Sequence, residues 1–599
     1  MTAEAASETG GAFLGVERSI SGKSWRLREA DEADALAIAR ALDAPEALGR
    51  ILSARGVTPD IAQGFLKPTL KGEFPDPSSF ADMDRGAARI ADEIEKGGPI
   101  GIFADYDVDG ASSAAQLIRY LRPLGIETPI YVPDRAKEGY GPTGESLLSL
   151  KAKGCGAVIT VDCGAAAYEA LEAAAEGGLD VVVLDHHLMQ GEPPRAAAMI
   201  NPNRVDCASG QGHLAAAGVT FIFLAALARE LRRRDYFKGR DEPDILSFLD
   251  LAALGTVCDI VPLTGVNRAI VAQGARVMSA QGNAGLKALA ESAGASPPFA
   301  EYHAGFIFGP RINAGGRIGD SSLGARLLST DDAEEARQIA GELERLNADR
   351  KAIETAVVDE ASLAADRSVV SDTEPAVIVA SGEGWPPGVV GLAASRLVER
   401  YGRPAVVVGI EEGGLGRGSG RSIKGVNLGG AISDLRKQGM LESGGGHAMA
   451  AGLSIRKENI PAFESALSER LADEVAAATA TASLRLDALI SPSAANLALV
   501  EMVQAAGPFG PGNPQPVFAF SNLRVAYAER VGGAHVRAAF EDSSGLRLNA
   551  IAFRVADTPV GEALLNAGDR RVNLAARLKL DEWNGRRRVD AHVVDLAWR

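Results

Sequence analysis

From Pro99 onward the chain alternates short apolar runs, each closed by polar residues, with Ala/Leu-rich stretches of helical spacing: IGIFAD, PIYVPD, AVITVDCG and VVVLDHH head the successive units. That alternation predicts βαβ units and a parallel sheet. Upstream, from about Trp25 to Lys71, Ala, Leu and Ile recur every three or four positions up to FLKPTL, which predicts a small helical module. After Ser329 and Thr330, either of which suits an N-cap, DDAEEARQIAGELERLNADRKAIETAVVDEASLAAD holds no Pro and one Gly. As a continuous helix it would extend about 54 Å at ~1.5 Å per residue, and its charge predicts a strut between domains rather than part of a core. AVIVAS, an Ala/Leu helix near Gly391 to Tyr401 and PAVVVGI then open a second, smaller α/β unit that continues to about Ala472.

The last stretch differs in texture. Runs of β character lie near Leu523 to Arg530, His535 to Glu541, Leu546 to Arg554, Val572 to Asp581 and Arg586 to Leu596, the last two flanking the hairpin signal Asn584-Gly585. Such a set predicts a small five-stranded, OB-like barrel. The chain thus divides into residues 1–75, a disordered tail and the helical module; 76–330, the parallel-sheet domain; 331–366, the connecting helix; 367–472, the smaller α/β domain; and 473–599, the barrel.

Length agrees with this division, since 599 residues at roughly 150 per domain give about four domains. Hydrophobic residues at 46% and charged residues at 23% exclude disordered, collagenous and disulfide-scaffold classes. Cys155, Cys163, Cys207 and Cys258 are too far apart for a CxxC site and suit a reducing cytoplasm. The longest apolar stretch, Leu214 to Ala228, falls short of the ~20 residues that span a bilayer and predicts a buried helix. Met1 to Gly15 lacks the features of a signal peptide and reads as a disordered tail. A net charge of −16 argues against nonspecific coating of nucleic acid, yet Ser521 to Arg599 carries 13 Lys+Arg against 10 Asp+Glu.

Chemistry concentrates in IGIFADYDVDG, where Asp105, Asp107 and Asp109 alternate directly after a predicted strand. Carboxylates so close repel unless cations neutralise them. The first six positions match an EF-hand loop, but that reading is disfavoured, because its twelfth position is Gln116 and a strand precedes it. Two more strands end in acids, at Asp162 and at Asp185 followed by His186 and His187, and Asp259 closes a further apolar stretch. In an open parallel sheet ligands collect at the carboxyl ends of strands, so these groups should converge. Oxygen ligands with imidazole suit Mn²⁺ or Mg²⁺, and there are ligands enough for the two-metal arrangement of phosphodiester hydrolysis.

DYDVDG, VDCG, DHH and GTVCDIVPL, in this order, resemble the DHH phosphoesterase family, and SGGGHAMAAG resembles the DHHA1 domain that follows it. RINAGGRIGD, GRGSGRSI and GPFGPGNPQPVFAF narrow the resemblance to the branch of bacterial single-strand-specific 5′ to 3′ DNA exonucleases, from about Phe65 to the C-terminus. The resemblance implies that Asp105, Asp107 and Asp162 hold one metal and that Asp109, Asp162, His186 and Asp259 hold the second, with Asp162 bridging. His187 would face the scissile phosphate and Asp185 would orient the histidines. The wider family has a histidine where this chain has Phe103, which leaves the first metal to Asp105.

The Gly-rich GLGRGSGRS reads either as a plain surface loop or as an anion-binding turn, and the resemblance favours phosphate contacts from Arg417, Arg421 and Ser422. Gly446 and His447 are expected in a cleft, with Arg311, Asn313 and Arg317 beside the metals. In the barrel, Arg586, Arg587 and Arg588 with Trp583, Phe518, Phe520 and Tyr527 fit single-strand binding, although a core-and-hairpin reading explains most of the aromatics equally well. The resemblance implies a cytoplasmic, monomeric enzyme of recombination and repair that acts on single-stranded DNA, with single-stranded DNA-binding protein and a RecQ-type helicase as partners. Its alternatives are a phosphodiesterase for short oligonucleotides or cyclic dinucleotides and a noncatalytic scaffold of replication.

Overall fold

The apolar runs after Pro99 become strands Ile100–Ala104, Ile130–Tyr131, Ala157–Val161, Asp180–Leu184 and Ala198–Ile200. They form an all-parallel sheet in the order 130–131, 100–104, 157–161, 180–184, 198–200. Both faces are covered, hence the unbroken apolar runs. Ile100, Ile102, Ile159, Val182 and Ile200 share one core with helices Met83–Lys96, Val108–Leu121 and Ala216–Arg233. Phe103, Val158, Val181, Val183 and Met199 share another with Leu147, Leu150 and Leu171. The structure, a computed structural model, describes residues 11–134, 137–189, 191–369, 375–583 and 586–599.

Helix Ala333–Val369 leads to the second α/β domain. It is not the bare strut that its charge suggests. Ala336, Ile339, Ala340, Leu343 and Leu346 lie in the core of the parallel-sheet domain, and Val357, Ala361 and Ala365 in that of the smaller one. Average charge conceals an apolar stripe at helical spacing. In the smaller domain the sheet order is 443–447, 450–456, 415–421, 405–410, 378–383, with only the last pair parallel. The Trp385 indole N–H donates to Glu360 (2.8 Å) and the Tyr401 hydroxyl to Asp366 (2.6 Å), which ties this domain to the long helix.

The described residues up to Pro68 join Thr479–Arg599 in a second compact unit, separate from Thr69–Ala478. The helical module and the barrel, assigned above to different domains, therefore fold together. Strand Ser24–Leu27 pairs in parallel with Ser483–Leu486, so the module opens with a strand rather than the expected helix. Trp25 is fully buried there, and its indole N–H donates to buried Asp595 (3.0 Å). Helices Glu32–Ala41 and Glu46–Ser53 send Ile38, Leu48, Ile51 and Leu52 into the core that holds Phe518, Phe520 and Phe540. Of the tail expected over Met1–Gly15, residues 1–10 lie outside the described residues, whereas Phe13 and Leu14 pack against the cluster containing Val16 and Trp25.

The barrel strands are Phe518–Val531, His535–Glu541, Arg547–Ala552, Arg571–Trp583 and Arg586–Trp598, closed by pairing of the first with the fourth. Closure leaves the five with no free edge. The turn Asn584-Gly585 lies outside the described residues, as do the side chains of Trp583 and Arg586, while the strands flanking it pair antiparallel. Emptying a buried aromatic site costs about 3–5 kcal/mol. Trp25→Ala should therefore destabilise the barrel unit selectively, so that on heating, limited proteolysis cuts it before the parallel-sheet unit.

Candidate active site

The acids leave the parallel sheet at its carboxyl edge, and each is fixed by the next strand. Asp105 N–H donates to the Val161 carbonyl (3.3 Å), Asp162 N–H to Leu184 (3.0 Å) and Asp185 N–H to Ile200 (3.1 Å). Asp107 caps helix Val108–Leu121, accepting from the N–H groups of Asp109 (2.8 Å) and Gly110 (3.2 Å). Asp109 accepts from Ala216 N–H (2.7 Å) and Ala217 N–H (2.9 Å) at the start of helix Ala216–Arg233, where the dipole favours an anion. Asp162 takes a left-handed conformation (φ 60°), which aspartate tolerates better than most side chains. Two glycines allow the close approach: a Cβ on Gly110 would lie 2.4 Å from the Asp105 carbonyl oxygen, and one on Gly255 2.6 Å from Asp109 Oδ1.

Three overlapping ligand sets result, Asp105–Asp107–Asp162, Asp109–His186–Asp259 and Asp162–His186–His187, with donor atoms within 4.8 Å of one another in each. His186 Nε2 lies 3.3 Å from Asp162, 3.5 Å from Asp259 and 3.9 Å from Asp109. Asp259 arrives from the C-cap of helix Leu249–Cys258 rather than from a strand. Phe103 stacks on Tyr131 (5.5 Å) in the core and offers no ligand.

Burial, and then the neighbouring carboxylates, push Asp109 and Asp162 well above the usual carboxylate range. Asp259 is pushed up to about 7 by burial and by Asp107. Burial and then the charge of His187 lower His186, favouring a neutral imidazole whose buried Nε2 has no hydrogen-bond partner among the described residues. A bare imidazole nitrogen facing crowded carboxylates fits a divalent cation, and this oxygen-rich set suits Mn²⁺ or Mg²⁺.

His187 is 47% exposed and its Nδ1 lies 2.7 Å from buried Asp185. Asp185 also accepts from the N–H groups of Ala165 (2.8 Å), His186 (2.7 Å) and His187 (3.2 Å). Burial opposes charge on both partners, yet their hydrogen bond and attraction prevail, raising His187 and lowering Asp185. The Tyr140 hydroxyl donates to the Asp162 carbonyl (3.0 Å) and lies 3.2 Å from the His187 ring. Sequence reasoning missed Tyr140, which sits in a loop with no periodic signal.

The expected phosphate contacts divide. GLGRGSGRS is no turn: Leu415–Arg421 is a strand hydrogen-bonded on both sides, so its alternating glycines reflect strand period. Cβ atoms on Gly416, Gly418 and Gly420 would meet Val408, Leu453 and Leu428 at 2.6–2.9 Å. The opposite parity carries Arg417, Ser419 and Arg421, which line a cavity of about 770 Å³ together with Arg317. Ser419 was not singled out from sequence, although alternation marks it. The cavity spans both α/β domains at a tight junction, where the Arg317 guanidinium donates to the Gly388 carbonyl (2.9 Å). Next to Arg317, a Cβ on Gly316 would lie 2.9 Å from the Tyr106 carbonyl oxygen, so the cavity adjoins the acidic loop.

The other expected contacts are placed elsewhere. Arg311 is buried, paired with Glu344 and donating to the Ile307 carbonyl (2.7 Å), because the long helix places an acid opposite it. The Ser422 hydroxyl is buried and donates to the Val426 carbonyl (3.0 Å). Asn313 does not line the cavity, and neither do Gly446 and His447, which lie exposed at the tip of the hairpin Ser443–His447/Ala450–Arg456. In the barrel Phe518 and Phe520 are core residues, whereas Tyr527 is exposed. Arg587 pairs with Glu501 (2.6 Å) and Arg588 with Asp581 (2.7 Å).

Residues 99–256 match the model of the DHH family N-terminal domain, 374–473 that of the DHHA1 domain and 486–595 that of the RecJ OB domain. The chain is 34% identical to the single-stranded-DNA-specific exonuclease RecJ of Escherichia coli, covering 96% of this chain and 98% of that protein. It is likewise 34% identical to RecJ of Salmonella typhimurium, covering 96% and 99%. The crystal structure of RecJ in complex with Mn²⁺ from Thermus thermophilus superposes with a TM-score of 0.76 at 30% identity, covering 96% of this chain and 79% of that one. A Mg²⁺ complex from the same organism gives 0.70 at 27% identity.

Proposed function

Because this chain belongs to the RecJ family of single-stranded-DNA-specific exonucleases, we propose that it shortens single-stranded DNA from the 5′ end to mononucleotides, in recombination and repair. The observation that carries the reading is the convergence of Asp105, Asp107, Asp109, Asp162, Asp259 and His186 at the carboxyl edge of one sheet. Asp105, Asp107 and Asp162 would hold one Mn²⁺ or Mg²⁺, and Asp109, Asp162, His186 and Asp259 the other. When bound there, the ions supply activation of water and of the phosphoryl group.

The chain's own residues do the rest. Asp185 orients the His187 ring and favours its charged form at the open side of the cluster, where it would donate to the scissile phosphate as charge develops in the transition state. Arg317, Ser419 and Arg421 receive a terminal phosphate in the adjoining cavity and set the strand's register. A passage that admits one chain between the two α/β domains would exclude a duplex sterically. Among the described residues no helix is long and apolar enough to cross a membrane. We place the enzyme in the cytoplasm, as a monomer, working beside single-stranded DNA-binding protein and a RecQ-type helicase.

The substrate class is tested with purified protein, Mn²⁺ and three substrates: a long single strand, the matching blunt duplex and a dinucleotide. Degradation of the long single strand alone is expected. Preference for the dinucleotide would move the protein to the short-oligonucleotide phosphodiesterases, and no hydrolysis with any metal would make it a scaffold. Arg421→Ala tests the cavity. A charged hydrogen bond to phosphate contributes about 1.5–3 kcal/mol, so KM for a 5′-phosphorylated strand should rise by roughly 10- to 100-fold. In steady-state assays kcat should change little, and a 5′-hydroxyl strand should be less affected.

A further inference from the structure

Three segments at the ends of regular elements complete the metal cluster, each anchored to its own strand or helix at one end only. Residues 185–187 carry the histidines; residues 212–217 carry the Leu214 carbonyl, which accepts a hydrogen bond from the His186 ring, and the N–H groups that hold Asp109; residues 259–262 carry Asp259. Asparagine amides join them. Asn203 Nδ2 donates to the His186 carbonyl (2.5 Å) and to the Gly212 carbonyl (3.1 Å). Asn201 Nδ2 donates to the His187 carbonyl (2.9 Å), and its Oδ1 accepts from Asn203 N–H (2.8 Å). Asn267 Nδ2 donates to the His213 carbonyl (2.7 Å) and to the Pro262 carbonyl (3.0 Å).

Asn201 and Asn267 are fully buried, and a Cβ on Gly212 would lie 2.5 Å from Asn203 Oδ1, so the packing leaves these amides little freedom. The two donors of Asn203 and of Asn267 each span two different segments, an arrangement that neither a hydroxyl nor a carboxylate reproduces. We propose that Asn201, Asn203 and Asn267 are positioning residues: they preset the His186 ring, the Asp109 carboxylate and the Asp259 backbone in the geometry that binds the cations. The inference rests on the metal site assigned above. Partners of this kind that orient ligands typically govern metal affinity by 10- to 100-fold.

The test is Mn²⁺ binding by isothermal titration calorimetry on full-length Asn267→Ala and Asn203→Ala proteins that remain folded by circular dichroism. Asn283→Ala is the reference, because Asn283 is also buried and donates to the Leu328 carbonyl (3.0 Å) but belongs to no ligand segment. Both test variants should bind Mn²⁺ about 10- to 100-fold more weakly than the reference, with kcat recovering at saturating Mn²⁺. If Asn267→Ala does not fold, Asn203→Ala decides. Equal affinity in test and reference variants, or lost activity that excess Mn²⁺ does not restore, overturns the inference. Asp162→Ala separates the two levels: if it too leaves Mn²⁺ binding intact, the metal site itself is misassigned.

Discussion

Replacing Asp162 by asparagine should abolish hydrolysis while making the metal-free protein more stable. Asp162 stands in two of the three ligand sets and lies 3.3 Å from His186 Nε2, so its loss removes a ligand from both proposed cation positions at once. Changes that only reorient a ligand cost roughly 10- to 100-fold, and loss of a shared ligand should exceed that, to at least ~10³-fold. The stability effect has the opposite sign because burial and four neighbouring aspartates hold the Asp162 carboxyl well above its ordinary range. A carboxyl raised on folding makes the folded state dearer to ionise, so at neutral pH and above its removal relieves repulsion. Asparagine keeps the size without the charge. Calorimetric unfolding in chelator should show a higher Tm for Asp162→Asn than for the wild type, alongside a nuclease assay showing no product.

Metal removal should make stability fall with rising pH. Asp259 is raised from 3.8 to about 7, so its ionisation opposes folding increasingly between about pH 4 and 7 and fully above that range. Such a shift corresponds to something on the order of 4 kcal/mol at its limit. His187 acts in the same direction: it is raised on folding, so its contribution is present below its ordinary value and is lost as pH climbs through the raised one. Asp185 is lowered, and its contribution is lost only in acid. Cations reverse the penalty, since binding at 100 times Kd adds about 2.7 kcal/mol. The rise in Tm produced by Mn²⁺ should therefore be larger at pH 8 than at pH 6. A rise that shrinks as pH increases would show that the ion binds elsewhere.

The acids were legible because each closes an apolar run, and the carboxyl edge of a parallel sheet gathers what its strands end in. Asp259 also closes an apolar run, but that run is a helix, so its place at the sheet's carboxyl edge follows from no strand rule and its role as a ligand was implied only by resemblance. GLGRGSGRS was misread because alternating glycines resemble a loop until the pairing strands are known, and the same period put Ser419 on the cavity side. Arg311 and Ser422 have the right chemistry for phosphate, but Glu344 and the Val426 carbonyl consume it, and partners distant in sequence leave no local trace. The union of the helical module with the barrel was hidden for the same reason, because Trp25 and Asp595 lie at opposite ends of the chain. Asn201, Asn203 and Asn267 leave no signal in the sequence, because their amides bond backbone carbonyls of segments distant along the chain.

Time-resolved product analysis of one long single strand, labelled at either end and incubated with Mn²⁺, tests the central claim most directly. Labelled mononucleotide should appear from the 5′ label at once, while the 3′ label stays on a steadily shortening strand. Early release of the 3′ label, or internal fragments from either substrate, would contradict the account.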